Sequence, residues 1–155
     1  YEVTIADPRE PFLRSRRFRE AGTPLVQWPQ DAVAGMGLGP RDAVIVFSHD
    51  AKLDEPALLA ACNTPVGYIG ALGSRRTTAD RRRRLLEAGC EEGELSRLHA
   101  PCGLDIGANT PEEVAISVIA EMVAVRTRRG GAPLRSGSGP IHERLLANHP
   151  PFGQH

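Results

Sequence analysis

The residues with the most chemical promise fall in three short stretches, each just behind an apolar or β-branched run. Asp7 follows residues 1–6, Ser48-His49-Asp50 follows residues 43–47, and Gly70-Ala71-Leu72-Gly73-Ser74-Arg75-Arg76 follows residues 65–69. If those runs are strands of one parallel sheet, the three stretches meet outside its carboxyl edge, where open α/β sheets bind ligands. The third stretch has the parts of an anion cradle. Its glycines Gly70 and Gly73 let the backbone approach, Ser74 donates a hydrogen bond, and Arg75 offers a two-pronged fork. The same residues also read as a plain helix N-cap with a solvated arginine. They lack the lysine of a phosphate-binding P-loop, so nucleotide hydrolysis is not implied.

Asp7 stands where a dinucleotide-binding fold places the acid that holds a pair of ribose hydroxyls. Asp7-Pro8 is equally an ordinary strand-ending turn, and Gly67, Gly70 and Gly73, spaced by three, do not form GxGxxG. His49 next to Asp50 is a candidate ligand contact or base, because a carboxylate can orient an imidazole. No Ser or Cys nucleophile pairs with it in sequence, so no catalytic set is assigned. A further loop, residues 103–109, exposes backbone ahead of a helix start. Its Asp105 either holds the loop or faces a ligand.

The elements that must position these groups alternate along the chain. Residues 1–6 alternate apolar and polar as a strand does, and residues 25–28 form a second short strand candidate ahead of a glycine-rich stretch. The β-branched run at 43–47 reads as a strand buried on both faces and central in its sheet. A helix is expected from Asp54 or Glu55, with Pro56 in its first turn. Ser74 or Thr77 caps the next helix, which stops at Gly89. Its Arg81, Arg82, Arg83 and Arg84 wrap around the helix and read as solvated, with docking of a partner as the alternative. Thr110-Pro111-Glu112-Glu113 is a capping box opening the last long helix. That helix is apolar almost all round, so Ile119 is expected to be buried, with Glu113, Ser117 and Glu121 as a narrow polar stripe of capping and solvation. Strand, helix, strand, helix with short links predicts a doubly wound parallel sheet.

Composition excludes several classes. The apolar fraction of 41%, the charged fraction of 25% and a formal net charge of zero describe an ordinary globular chain without the field that attracts nucleic acid. No apolar run reaches the length of roughly 18 residues that a membrane span needs. Cys62, Cys90 and Cys102 are widely spaced and lack a CxxC pair, which argues against a metal site or a disulfide framework and fits the cytoplasm. A strand at residue 1 without an initiator Met suggests a fragment of a longer protein. Residues 129–155, rich in Gly, Pro, Ser and Arg, form an expected tail to a domain at 1–128, with a short helix at 141–148 at most.

The segments YIGALGSRR and PCGLDIGANTPEEVAISVIAEMV, with Asp7-Pro8-Arg9, Phe18 and Ser48-His49-Asp50 in the same order, resemble the C-terminal Rossmann-like domain of the XdhC/CoxI family. The resemblance implies a Rossmann-like doubly wound sheet whose first strand–helix unit, with its Gly-Ala-Gly-His-like turn, is missing here. It also implies a non-catalytic accessory protein of molybdenum hydroxylases such as xanthine dehydrogenase. Such a protein holds molybdenum cofactor (molybdopterin), assists its sulfuration with a cysteine desulfurase, and delivers it to the apo-enzyme. Asp7, His49, Asp50, Gly70, Gly73, Ser74, Arg75, Asp105 and Thr110 are then the expected cofactor-binding residues. An NAD(P)-binding oxidoreductase domain is the alternative. The strand edge left by the missing unit invites self-association, so a homo-oligomer is expected.

Overall fold

In a computed structural model, residues 1–48, 50–138 and 141 are described, so His49 and nearly all of 141–148 lie outside the described residues. The elements run β1 (Thr4–Ala6), α1 (Glu10–Leu13), α2 (Arg16–Ala21), β2 (Thr23–Leu25), α3 (Pro29–Gly35), β3 (Ala43–Val46), α4 (Ala51–Cys62), β4 (Tyr68–Ala71), α5 (Arg75–Glu87), β5 (Leu98–His99) and α6 (Pro111–Thr127). Every ladder among the described residues is parallel, joining β1 to β2 and, separately, β3 to β4 to β5. This is a Rossmann-like α/β fold, as expected.

The strand order differs from expectation. The run at 43–47 is not central: β3 is an edge of its sheet, and β4 lies between β3 and β5. β1 ladders only with β2 among the described residues. Burial follows this order. All of β4 is buried, whereas each residue of β3 is only partly so. A strand with neighbours on both sides and helices on both faces loses all contact with water, and an edge strand does not.

Alternation along the strands divides the core in two. Ile69 and Ala71 of β4, with Val44 and Val46 of β3, pack against Val33, Leu58, Cys62 and Leu85 of α3, α4 and α5. Tyr68, with Ala43 and Ile45, packs on the other face against Val118 and Met122 of α6. The β1–β2 half joins the rest mainly through α3, which packs on α4.

Local chemistry sets the helix starts. Asp50, not Asp54 or Glu55, opens α4: its carboxylate accepts the Lys52 N–H at 3.0 Å, and Pro56 therefore sits inside the helix rather than in its first turn. A capping aspartate satisfies an orphan donor, which fixes the start ahead of the proline. Ser74 caps α5 in a reciprocal box with Thr77, and α5 ends just before Gly89, whose φ of 97° suits only glycine comfortably. Thr110 caps α6, and Glu113 Oε2 accepts the Asn109 and Thr110 amides at 2.8 and 2.9 Å. Those backbone hydrogen bonds hold the Glu113 carboxyl below its ordinary range.

The orientation of α6 is the second correction. Ser117 is buried and Glu121 nearly so, while Ile116 and Ile119 are 61% and 54% exposed and Val123 is partly so. Ser117 and Glu121 face inward beside Val118 and Met122 because partners wait there, Glu113 stays exposed in the cap, and Ile116, Ile119 and Val123 face out. Among the described residues, no helix is long and apolar enough to cross a membrane.

The helix faces give a stability test. Ile119→Ala should cost well under about 1 kcal/mol, as at an exposed site. Thr110→Ala should cost about 1 kcal/mol for the lost cap, and Met122→Ala, on the buried face, roughly 2–5 kcal/mol. Urea midpoints of the three variants check this ranking.

Candidate functional site

At the carboxyl edge, Asp7 leaves β1 buried and locked to Arg9. The Arg9 N–H, Nε and Nη2 donate to its two oxygens at 2.8, 2.9 and 2.7 Å. Those bonds hold the Asp7 carboxyl below the usual carboxylate range against the opposing effect of burial. The same hydrogen bond with Asp7 raises the Arg9 pKa in turn.

A buried pair joins β3 to β4. Asp54, in the first turn of α4, is 1% exposed and accepts hydrogen bonds from Ser48 Oγ and, at 3.4 Å, from Arg81 Nη2. Arg81 Nη1 then donates to the Leu72 carbonyl at 2.9 Å. The reading of Arg81 as a solvated residue is overturned: it points inward from α5 because Asp54 supplies the countercharge. Arg82, Arg83 and Arg84 do face outward, pairing with Glu92, Asp80 and Glu55. Nothing in the Arg81–Arg84 run distinguishes its first member except spacing: Leu85, four residues on, is buried on the same face.

The cradle itself is smaller than the sequence suggested. Gly70 is not in the loop but inside β4, opposite Ile45 and His99. A Cβ there would sit 2.8 Å from the Tyr68 ring and 3.4 Å from Cys102 Cβ, so its bareness serves packing. Gly73 does turn the chain, with φ of 152°, and a Cβ on it would press on Thr77 Oγ1 at 2.8 Å and on Arg81 at 3.4 Å. Ser74 and Arg75 follow at the α5 N-terminus, and the Arg75 side chain makes no hydrogen bond or ion pair among the described residues. Asp50 is thus joined through Ser48 to Asp54 and Arg81, which reaches the Leu72 carbonyl ahead of Gly73, whereas Asp7 pairs with Arg9 and Ser74 bonds within the first turn of α5. Asp105 and Thr110 stand apart on the loop before α6, with no hydrogen bond to the others among the described residues.

A second polar cluster was read from sequence as solvent-facing. Glu121 Oε2 accepts the Tyr68 hydroxyl at 2.6 Å and the Gly103 amide at 2.8 Å, while Oε1 faces His99 Nδ1 at 3.4 Å. The His99 and Tyr68 rings stack with centroids 4.5 Å apart. Burial pushes the Glu121 pKa up, but hydrogen bonds from His99, Tyr68 and Gly103 outweigh it and hold it at about 2. Beside it, burial and the Glu121 charge push the Cys102 thiol up to about 11, and burial pushes Cys62 to about 12. One turn earlier on α6, Ser117 Oγ donates to the Leu104 carbonyl at 2.6 Å, and the Leu104 amide donates back to the Ser117 carbonyl at 3.2 Å. Among the described residues, no group of three or more His, Cys, Asp or Glu side chains is placed to hold a metal ion. A hollow of about 590 Å³ opens at the opposite, amino edge, where Arg97 donates to the Thr64 and Cys62 carbonyls at 2.8 and 3.0 Å.

The XdhC Rossmann domain matches residues 1–122 of this chain. The chain belongs to the XdhC family. Its similarity to YqeB of Escherichia coli K12 is 32% identity over 94% of the chain and 27% of that protein. A protein of Bacillus subtilis described as a probable xanthine dehydrogenase component is 32% identical over 83% of the chain and 37% of its own length. The molybdenum cofactor insertion chaperone PaoD of E. coli is 39% identical over 54% of the chain and 26% of its own length. The crystal structure of a xanthine dehydrogenase from Bacillus halodurans superposes with a TM-score of 0.67 at 29% identity, covering 88% of this chain and 39% of that one. This XdhC domain therefore spans well under half the length of these relatives.

Glu121 makes the XdhC domain acid-sensitive in a defined window. Its folded pKa of about 2 lies below the ordinary 4.5, so its contribution is complete above about pH 4.5 and fades as pH falls toward 2. Glu121→Gln should cost roughly 1–3 kcal/mol at neutral pH, because Tyr68 and Gly103 lose a charged acceptor. It should also flatten the stability profile between those pH values. Thermal melts from pH 7 to pH 2 on both proteins read this out.

Proposed function

We propose that this domain holds molybdenum cofactor at the carboxyl edge of its sheet and takes part in its delivery to a xanthine dehydrogenase-type molybdenum hydroxylase. Membership of the XdhC family and similarity to a molybdenum cofactor insertion chaperone support the reading. The observation that carries it is the turn at Gly73, Ser74 and Arg75. It combines a positive-φ glycine that lets the chain turn against Thr77 and Arg81, a capped helix of 13 residues, and an arginine without a side-chain partner among the described residues. An anionic phosphate is what such a turn stabilises, through the helix dipole and a charge-assisted fork.

Molybdopterin carries ring N–H donors besides its phosphate, and Asp50, whose Oδ1 accepts the Lys52 amide, is the proposed acceptor for them. Asp7 presents only the lone pairs that Arg9 leaves, which weakens the dinucleotide alternative, where that carboxylate would hold two ribose hydroxyls. His49, Asp105 and Thr110 remain proposed contacts from the remaining sides of the ligand. The chain's own part is to bind and orient the cofactor's anionic end. The molybdenum chemistry comes with the group. A cysteine desulfurase that sulfurates the held cofactor is the proposed second partner, and three free thiols fit a cytoplasmic setting.

Arg75→Ala in the protein carrying this domain should cut cofactor retention about tenfold or more, as for a lost charged hydrogen bond, and make residual binding less salt-sensitive. Arg82→Ala, on the body of α5 and paired with Glu92, should leave retention unchanged. Mass spectrometry of the small molecule that co-purifies, across a salt series, measures both. Equal losses would mean that diffuse positive charge, not a shaped cradle, holds the cofactor.

A further inference from the structure

A glycine, a tyrosine and a glutamate converge on one imidazole. His99, the last residue of β5, lies in register with Gly70 of β4, which shares the α6 face of the sheet with Tyr68 by alternation. Because Gly70 has no Cβ, the Tyr68 ring leans across it, where a Cβ would come within 2.8 Å. The ring then stacks on His99, with centroids 4.5 Å apart and planes 14° from parallel. The Tyr68 hydroxyl and the Gly103 amide donate to Glu121 Oε2, and the other oxygen of that carboxylate faces His99 Nδ1 at 3.4 Å. One face and one nitrogen of the imidazole are thereby fixed.

The other nitrogen is open. His99 Nε2 makes no hydrogen bond among the described residues, and the side chain keeps 24% of its surface exposed. The unpartnered buried side-chain atom among the described residues is Gln30 Oε1, not this nitrogen. A carboxylate at Nδ1 draws the imidazole proton there, so Nε2 presents a lone pair. An interior glycine weakens a strand, and an ionised acid away from water is costly until its lone pairs are filled, so packing alone selects neither. A ring oriented by a supporting carboxylate, with its far nitrogen unfilled, is how a histidine is presented to a ligand.

This nitrogen lies on the β5 side of the Gly73 turn. The Cys102 amide, in the loop after β5, donates to the Ala71 carbonyl at 3.0 Å, and Arg81 holds the next carbonyl, that of Leu72. The loop is therefore seated directly ahead of the turn. Asp50, after β3, lies on the other side, since β4 runs between β3 and β5.

We infer that His99 Nε2 is a contact for the ring of the ligand held at this edge, accepting a hydrogen bond from one of its N–H groups. The inference rests on the cofactor reading above and names the part of the cofactor that His99 meets. A reduced pterin carries N–H groups on both its pyrimidine and its pyrazine edges, so Asp50 can accept from one edge and His99 from the other. Tyr68 and Glu121 act through His99 as positioning residues.

The test uses the protein carrying this domain, with isotope-labelled histidine, and tetrahydropterin, which has neither phosphate nor molybdenum. Long-range proton–nitrogen spectra, with His99→Asn to assign the signal, should show His99 protonated on Nδ1. Its Nε2 signal should shift as tetrahydropterin is added and stay in place with inorganic phosphate alone. Asparagine reproduces the Nδ1 donor to Glu121 but not the far nitrogen. His99→Asn should therefore keep the melting temperature and weaken tetrahydropterin binding about tenfold, as for one lost hydrogen bond. Tetrahydropterin that binds without moving the Nε2 signal, or that binds His99→Asn equally well, overturns the inference and leaves the cofactor reading standing. A shift with phosphate alone overturns it as well, because an anion needs a donor rather than a lone pair. Failure of tetrahydropterin to bind at all overturns both.

Discussion

One carboxylate organises the centre of this domain. Glu121 sits on α6, yet it accepts from a strand hydroxyl (Tyr68), a loop amide (Gly103) and the imidazole side of β5 (His99). An ionised group away from water is tolerated only when its lone pairs are filled. Here the three donors come from three separate elements. Satisfying the charge therefore fixes the rotation of α6, the seating of β4 and the path of the chain after β5 at once.

The Asp54–Arg81 pair does the same on the other face of the sheet. It carries no large net gain in stability, since desolvation offsets much of the attraction of a buried pair. Its effect is geometric. Ser48 and the Leu72 carbonyl, at the ends of neighbouring strands, are both held by it. The turn at Gly73 is then pinned from below by Arg81, while Arg75 above it has no partner among the described residues. Inward charges are neutralised in place, and the outward charge that opens α5 is available.

Much of this was legible in sequence where a signal is local. The cap at Ser74 (with Thr77 as the other candidate), the capping box at Thr110, the stop at Gly89 and the parallel α/β alternation depend on residues a few positions apart. The strand order was not legible, because the β-branched run at 43–47 looks the same whether its second edge is paired or open. The inward turn of Ser117 and Glu121 was missed for a related reason. On a helix that is apolar all round, only the partners decide which face is buried, and Tyr68 and His99 are 53 and 22 residues away from Glu121 in sequence. Gly70 shows the same limit, since a glycine kept small by a neighbouring Tyr ring is indistinguishable from one kept small for a ligand.

The raised thiols carry a consequence for sulfur traffic. Burial pushes the Cys102 and Cys62 thiols well above the ordinary thiol range, so both are protonated at neutral pH. Only the thiolate attacks a persulfide, so neither side chain is equipped to accept sulfane sulfur and pass it on.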